Sequence, residues 1–260
     1  MSADVAGVAD TPGVGARRRL LAQARMELRL LLRNSENLLV TFGIPIALLV
    51  FFALVPVLPT AGQRPVDFLV PGVVTVAAMG AAMVSLGIAT GFERAYLVLK
   101  RLGATPLRRA ELVGAKALAI GAVQLVQLVV LLLTAVALGW QPTATAGGLV
   151  LAGAALVLAT AAFAGIGLAL AGGLPALGTL AVTNAAFLVL LLMSGLVFPV
   201  QRLPDALVAV ALLFPPAWLA RVLRAALSGG GWAEMSAGLA VLALWALLAP
   251  WVAARVFRWE

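Results

Sequence analysis

The 260 residues include no cysteine and no histidine, which excludes thiolate and imidazole as nucleophile, general base or metal ligand and leaves the redox compartment open. Charge is scarce as well: basic and acidic side chains make up 11% of the chain, against about a quarter in a soluble domain. No GxxxxGK[ST] loop occurs, so the chain carries no phosphate cradle of that kind, and ATP, if it drives this protein, must be held by another chain. No ionisable residue falls near the middle of an apolar run, where proton- or sodium-driven transporters usually keep one. A membrane-embedded enzyme acting on lipid would need clustered carboxylates or a nucleophile with a base, and no such cluster stands out.

What the chain has in abundance is apolar side chains, 63% of the residues with a mean hydropathy of +1.12. Lipid is the expected solvent. A bilayer-crossing helix takes roughly 20 apolar residues. The runs Leu38 to Leu58, Phe68 to Phe92, Leu112 to Leu138, Leu149 to Ala171, Thr179 to Phe198 and Ala233 to Ala254 predict six spans. The expected class is an all-α membrane protein whose six-helix transmembrane domain covers residues 35–260. Residues 1–16 are small and polar without the apolar core of a signal peptide, and read as a disordered cytoplasmic tail.

Residues 17–34 predict an amphipathic helix lying in the membrane interface. Leu20, Leu21, Ala24, Leu28, Leu31 and Leu32 share one face, and Arg18, Arg25, Arg29 and Arg33 the other. Arginines there suit anionic headgroups, so membrane lipid is an expected partner. The stretch from Pro199 to Trp232 is too apolar for a plain loop and too broken for a span; its short segments, Leu207 to Phe214 and Ala217 to Leu227, predict a re-entrant external hairpin interrupted by Pro215 and Pro216. The basic residues lie mostly before the first span, in the loop Glu93 to Lys116 and at the C-terminus. Arg64, Arg202, Arg221 and Arg224 are the exceptions. That bias places both termini in the cytoplasm and accounts for the net charge of +8 without a nucleic-acid partner.

Within the spans, Gln124, Gln127 and Asn184, with Thr134, Thr160, Thr183 and Ser194, either hydrogen-bond between helices or line a solute path. Gly80, Gly87, Gly165 and Gly167 permit close helix approach. The loop after the second span predicts a compact cytoplasmic helix from Glu93 to Leu102, ended at Thr105-Pro106 and followed by a second basic patch at Arg108 and Arg109.

At this loop the chain resembles the type 2 permeases of ATP-binding-cassette transporters, the group that includes daunorubicin-type drug exporters. Their loop often reads ERExGTLKxLxATPLxRxE. Here Glu93, Arg94, Leu99, Lys100, Leu102, Ala104, Thr105, Pro106, Leu107, Arg109 and Glu111 match, while Ala95, Leu97 and Val98 replace the second acidic residue and the Gly-Thr pair. Gly195, Phe198, Pro199, Leu203 and Pro204 resemble a second element of that family, followed by Pro215-Pro216. The resemblance implies a half-transporter in the plasma membrane with no catalytic residue of its own. Two permease subunits would pair around a central path, and two cytoplasmic ATPase subunits would hold ATP and magnesium. Glu93 to Leu102 would be the coupling helix, its partner contact formed by Glu93, Arg94, Lys100 and Arg101 with Thr105 and Pro106. Drug-like or amphiphilic solutes are the expected cargo; lipid or glycan export and a non-transporting assembly subunit are the alternatives.

Overall fold

A computed structural model describes residues 15–55, 64–195 and 204–256. Most of the expected N-terminal tail, the loop prolines Pro56 and Pro59, and Phe198, Pro199, Arg202, Leu203 and Arg258 lie outside the described residues. Among the described residues every regular element is a helix. In order these are α1 (Ala16–Arg33), α2 (Ser35–Leu38), α3 (Ile44–Leu54), α4 (Pro65–Met79), α5 (Leu86–Ala95), α6 (Val98–Gly103), α7 (Arg109–Ala137), α8 (Ala146–Gly173), α9 (Ala176–Met193), α10 (Asp205–Ala211), α11 (Pro215–Leu227) and α12 (Trp232–Val256). A π turn, Leu39–Gly43, joins α2 to α3, and another, Gly80–Ser85, joins α4 to α5.

Among the described residues six helices are long and apolar enough to cross a membrane, as expected: Ser35–Leu54, Pro65–Ala95, Ala110–Ala137, Ala146–Gly173, Ala176–Met193 and Met235–Val256. Their burial is unequal. The second span is 83% buried and the others 17–39%, so Pro65–Ala95 is the central column on which the rest lean. α3 and α7 pack on its α4 half, α9 on α5, and α8 on α5 and the π turn between them; α12 packs along α8.

Glycine sets the tightest approaches. A Cβ on Gly167 would sit 2.5 Å from the Met83 carbonyl, and one on Gly87 would sit 3.0 Å from the Gly167 carbonyl, so α8 meets the central column backbone to backbone. A Cβ on Gly165 would run into the backbone of Pro250 in α12.

Proline and the π turns explain the two glutamines. Pro45 has no N–H to offer the Thr41 carbonyl four residues back. Gln127 Nε2 donates to that oxygen at 2.5 Å from α7. Gln124 Nε2 donates at 2.7 Å to the Ala78 carbonyl, two residues ahead of the second π turn, and its own carbonyl accepts from the Thr160 hydroxyl of α8. Both side chains therefore tie α7 to neighbouring backbones.

Between α9 and α12 the chain forms a helix pair, α10 and α11, bent by 88°. The sequence placed Pro215 and Pro216 in the break; they instead open α11, where a missing N–H costs nothing. The indoles of Trp218 and Trp245 donate to the carbonyls of Leu212 and Leu213 at 2.7 and 2.9 Å, closing the bend.

Gln127→Leu leaves the buried Thr41 carbonyl without its donor and is expected to destabilise the protein by about 1–3 kcal/mol. In a Pro45→Ala background, where residue 45 regains an N–H, the loss should shrink. Equal losses in the two backgrounds, measured by detergent-titrated unfolding, would refute this account of Gln127.

Candidate functional site: the knob at the basic end

The second span does not run straight into a coupling helix from Glu93 to Leu102. It ends at Ala95, turns through Tyr96 and Leu97, and restarts as the six-residue α6, a correction to the continuous helix expected from the sequence. The break lies at Leu97, whose φ of 60° puts a side chain in the left-handed region. That conformation costs a non-glycine residue roughly 1–2 kcal/mol. In the resembling loop a glycine stands at this place, the residue for which a left-handed turn carries no such strain.

The knob has a small core of its own. Leu99 and Leu112 are fully buried against each other, with Leu102 and Leu107 around them. The Thr105 hydroxyl donates to the Leu102 carbonyl at 2.6 Å and closes the turn after α6. Everything outside that core faces outward: Lys100, Arg101, Thr105 and Pro106 are exposed, and so are the apolar side chains of Tyr96 (72%), Leu97 (51%) and Val98. An apolar patch thus stands beside two cations on the outer surface of α6 and the turn before it.

Glu93 and Arg94 point the other way. The Glu93 carboxylate lies 2.7 Å from Lys116 Nζ, and the same ammonium lies 2.9 Å from Glu27 of α1. Lys116 is 1% exposed, two turns into α7. Glu27 also accepts from Gln23 at 2.8 Å. Arg94 donates to the carbonyls of Gly172 and Leu174, where α8 ends and its unpaired carbonyls gather. One residue thus clamps the knob to α7 and α1, and its neighbour clamps it to α8. A further bridge, Arg19 to Glu111 at 2.7 Å, fastens α1 to the first turn of α7, and Glu111 also accepts from the Arg108 N–H at 2.9 Å.

Of the residues expected at the partner contact, the structure brings Lys100, Arg101, Thr105 and Pro106 to one outer surface and turns Glu93 and Arg94 inward. Sequence reasoning missed Gln23, Glu27, Glu111 and Lys116. On α1 the side against α7 carries Gln23 and Glu27 together with the half-buried Leu20, Leu28 and Leu31, while Leu21 and Leu32 of the expected apolar face are exposed. Gln23 and Glu27 stand at i and i+4 inside an otherwise leucine- and arginine-rich helix, a polar stripe that could have pointed to a buried partner. Gln124 and Gln127 lie together on α7, while Asn184 is separate, exposed on α9 and bonded to its own Leu180 carbonyl at 2.9 Å.

The family model of the ABC-2 type transporters matches residues 19–228, most of the chain and all of this site. No curated protein matches the chain.

Replacing Lys116 by Met strands one buried and one half-buried carboxylate and should cost about 3–5 kcal/mol. Adding Glu27→Gln and Glu93→Gln to the same chain should recover most of that loss. A triple variant as unstable as Lys116→Met alone, in the same unfolding assay, would show that the lysine acts through packing and not through charge.

Proposed function

Because the chain belongs to the ABC-2 type transporter family, as a permease component of an ABC transporter, we propose that it is the membrane subunit of an ATP-driven exporter of drug-like or amphiphilic solutes. ATP and magnesium are held and turned over by a separate cytoplasmic ATPase subunit that docks on the knob. In this reading both termini and the knob face the cytoplasm of a plasma-membrane protein, α1 lies in the interface, and the α10–α11 pair is a re-entrant hairpin at the outer end.

The observation that carries the reading is the opposition between the two surfaces of the knob. Outward, Tyr96, Leu97, Val98, Lys100 and Arg101 form an exposed apolar and basic surface. Inward, Glu93 and Arg94 tie the same segment to α1, α7 and α8. A push on such a knob moves helices as bodies, which is what alternating exposure of a solute path requires. An ATPase drives that exchange only if its ATP-bound form prefers one of the two arrangements. The strain at Leu97 supports the same reading, since a costly backbone persists at sites where another role retains it.

A second permease subunit is proposed against the α9 side of the central column. Leu177, Leu188, Val189 and Leu192 are exposed there. Asn184 stands on that α9 surface and is the polar residue best placed for a path between two copies; Gln124 and Gln127 are engaged with backbone on the other side of the column.

In sealed vesicles the purified chain alone should hydrolyse no ATP, and adding the ATPase that co-purifies with it should produce hydrolysis. Leu97→Gly should stabilise the isolated permease by about 1 kcal/mol, by relieving the left-handed strain, yet lower stimulated hydrolysis several-fold. Tyr96→Ala should lower hydrolysis too without gaining stability. Glu93→Ala should weaken coupling by loosening the knob. ATP turnover by the chain alone, or full stimulation by both Tyr96→Ala and Leu97→Gly, would sink the proposal.

A further inference from the structure

The bundle is not closed between α7 and α8. A cleft of about 800 Å³ extends along α7 from Gly114 to Leu131, walled by α8 and floored by α4. That is about 25 Å of helix at 1.5 Å per residue. Toward the basic end it continues as a cavity of about 360 Å³ between α7, α8 and α12, sharing Gly114, Ala117 and Ala161 with the larger one. Its lips, Leu118, Leu125 and Val157, are exposed, so it opens sideways, toward hydrocarbon in a bilayer. Its polar lining is already engaged: Gln124, Gln127 and Thr160 make hydrogen bonds to backbone or to one another. What fills it must therefore be apolar, slender and supplied from the membrane.

The basic end supplies the other half of the recognition. Leu20 of α1 closes the cleft there, and Arg17, one turn earlier on the same edge of α1, is exposed. Trp251 lines the second cavity, and the guanidinium of Arg255 lies over its ring at 4.2 Å. Glu111, in the first turn of α7, is already bonded to Arg19. Gln124 stands midway along α7. The distance from Gly114 to Gln124, about 15 Å, equals the half-thickness of a hydrocarbon core of about 30 Å.

We infer that the basic-end half of the α7–α8 cleft holds an acyl chain of a resident anionic phospholipid, whose headgroup is held by Arg17 and Arg255. Such a lipid splints α7 to α8 where the protein makes few contacts of its own, beside the helix that carries Lys116. It would be bound whether or not the chain exports amphiphiles, and its binding can be read without the ATPase.

Native mass spectrometry of the delipidated protein, titrated with phosphatidylglycerol or phosphatidylcholine, tests this. The wild type should bind one phosphatidylglycerol at least tenfold more tightly than phosphatidylcholine. A leucine at position 121 meets open space next to α7, and it improves helix propensity over glycine. Gly121→Leu, and independently Ala161→Leu from the α8 wall, should fill the half-cleft and weaken phosphatidylglycerol binding at least tenfold. Gly153→Leu, equally open but in the far half, should leave it unchanged. Arg17→Gln with Arg255→Gln should bring phosphatidylglycerol down to the level of phosphatidylcholine. Equal binding of the two lipids by the wild type would overturn the inference. So would unchanged binding in both filled variants, or a dimer mass lost on filling the cleft, which would make a second copy the occupant.

Discussion

Pro45 withholds a hydrogen from the Thr41 carbonyl, and in hydrocarbon no water makes up the difference. Gln127 reaches across from α7 to supply it, and much of the architecture answers the same demand elsewhere. Gln124 meets a carbonyl beside the second π turn, and Arg94 gathers the carbonyls at the end of α8. Two tryptophans do likewise at the α10–α11 bend. The polar side chains of the spans are thus spent largely on backbone, which leaves an apolar bundle whose helices are held in register by a few directed bonds.

The same scarcity of polar partners gives the cluster of Lys116, Glu27 and Glu93 its weight. A charge removed from water is retained only where opposite charges and hydrogen bonds surround it. Here three segments distant in the chain contribute: α1, the end of α5 and α7. The knob is consequently not a loop attached at two points but a piece anchored to a helix on each side, Glu93 toward α1 and α7, Arg94 toward α8. An ATPase acting on its outer surface, as proposed, would meet a lever with little slack.

Leu97 and the two glutamines show where reading the sequence succeeds and where it stops. The break after Ala95 was hidden because leucine gives no sign of a left-handed turn, while the glycine that usually marks one is absent from this loop. Gln124 and Gln127 were visible as polar residues in an apolar span, and binding between helices was one of the two roles open to them. Which carbonyls they serve depends on Pro45 and on a π turn more than 30 residues away, and neither pairing leaves a local pattern. Glu27 and Lys116 are 89 residues apart, and Lys116 looked like one more cation in a basic loop.

Six apolar helices, their punctuation by proline and glycine, and a basic knob after the second were determined by the sequence alone, because hydropathy and helical period are local quantities that a lipid solvent makes decisive. The direction in which each polar side chain turns was decided by tertiary structure. It took the packed bundle to put Glu93 inward and Lys100 outward, to bury Gln23 and Glu27 against α7, and to leave a cleft between α7 and α8. Those outcomes depend on which backbones approach one another, at Gly167 and Met83 or Gly114 and Leu20, and such long-range contacts are not encoded in the composition of any one segment.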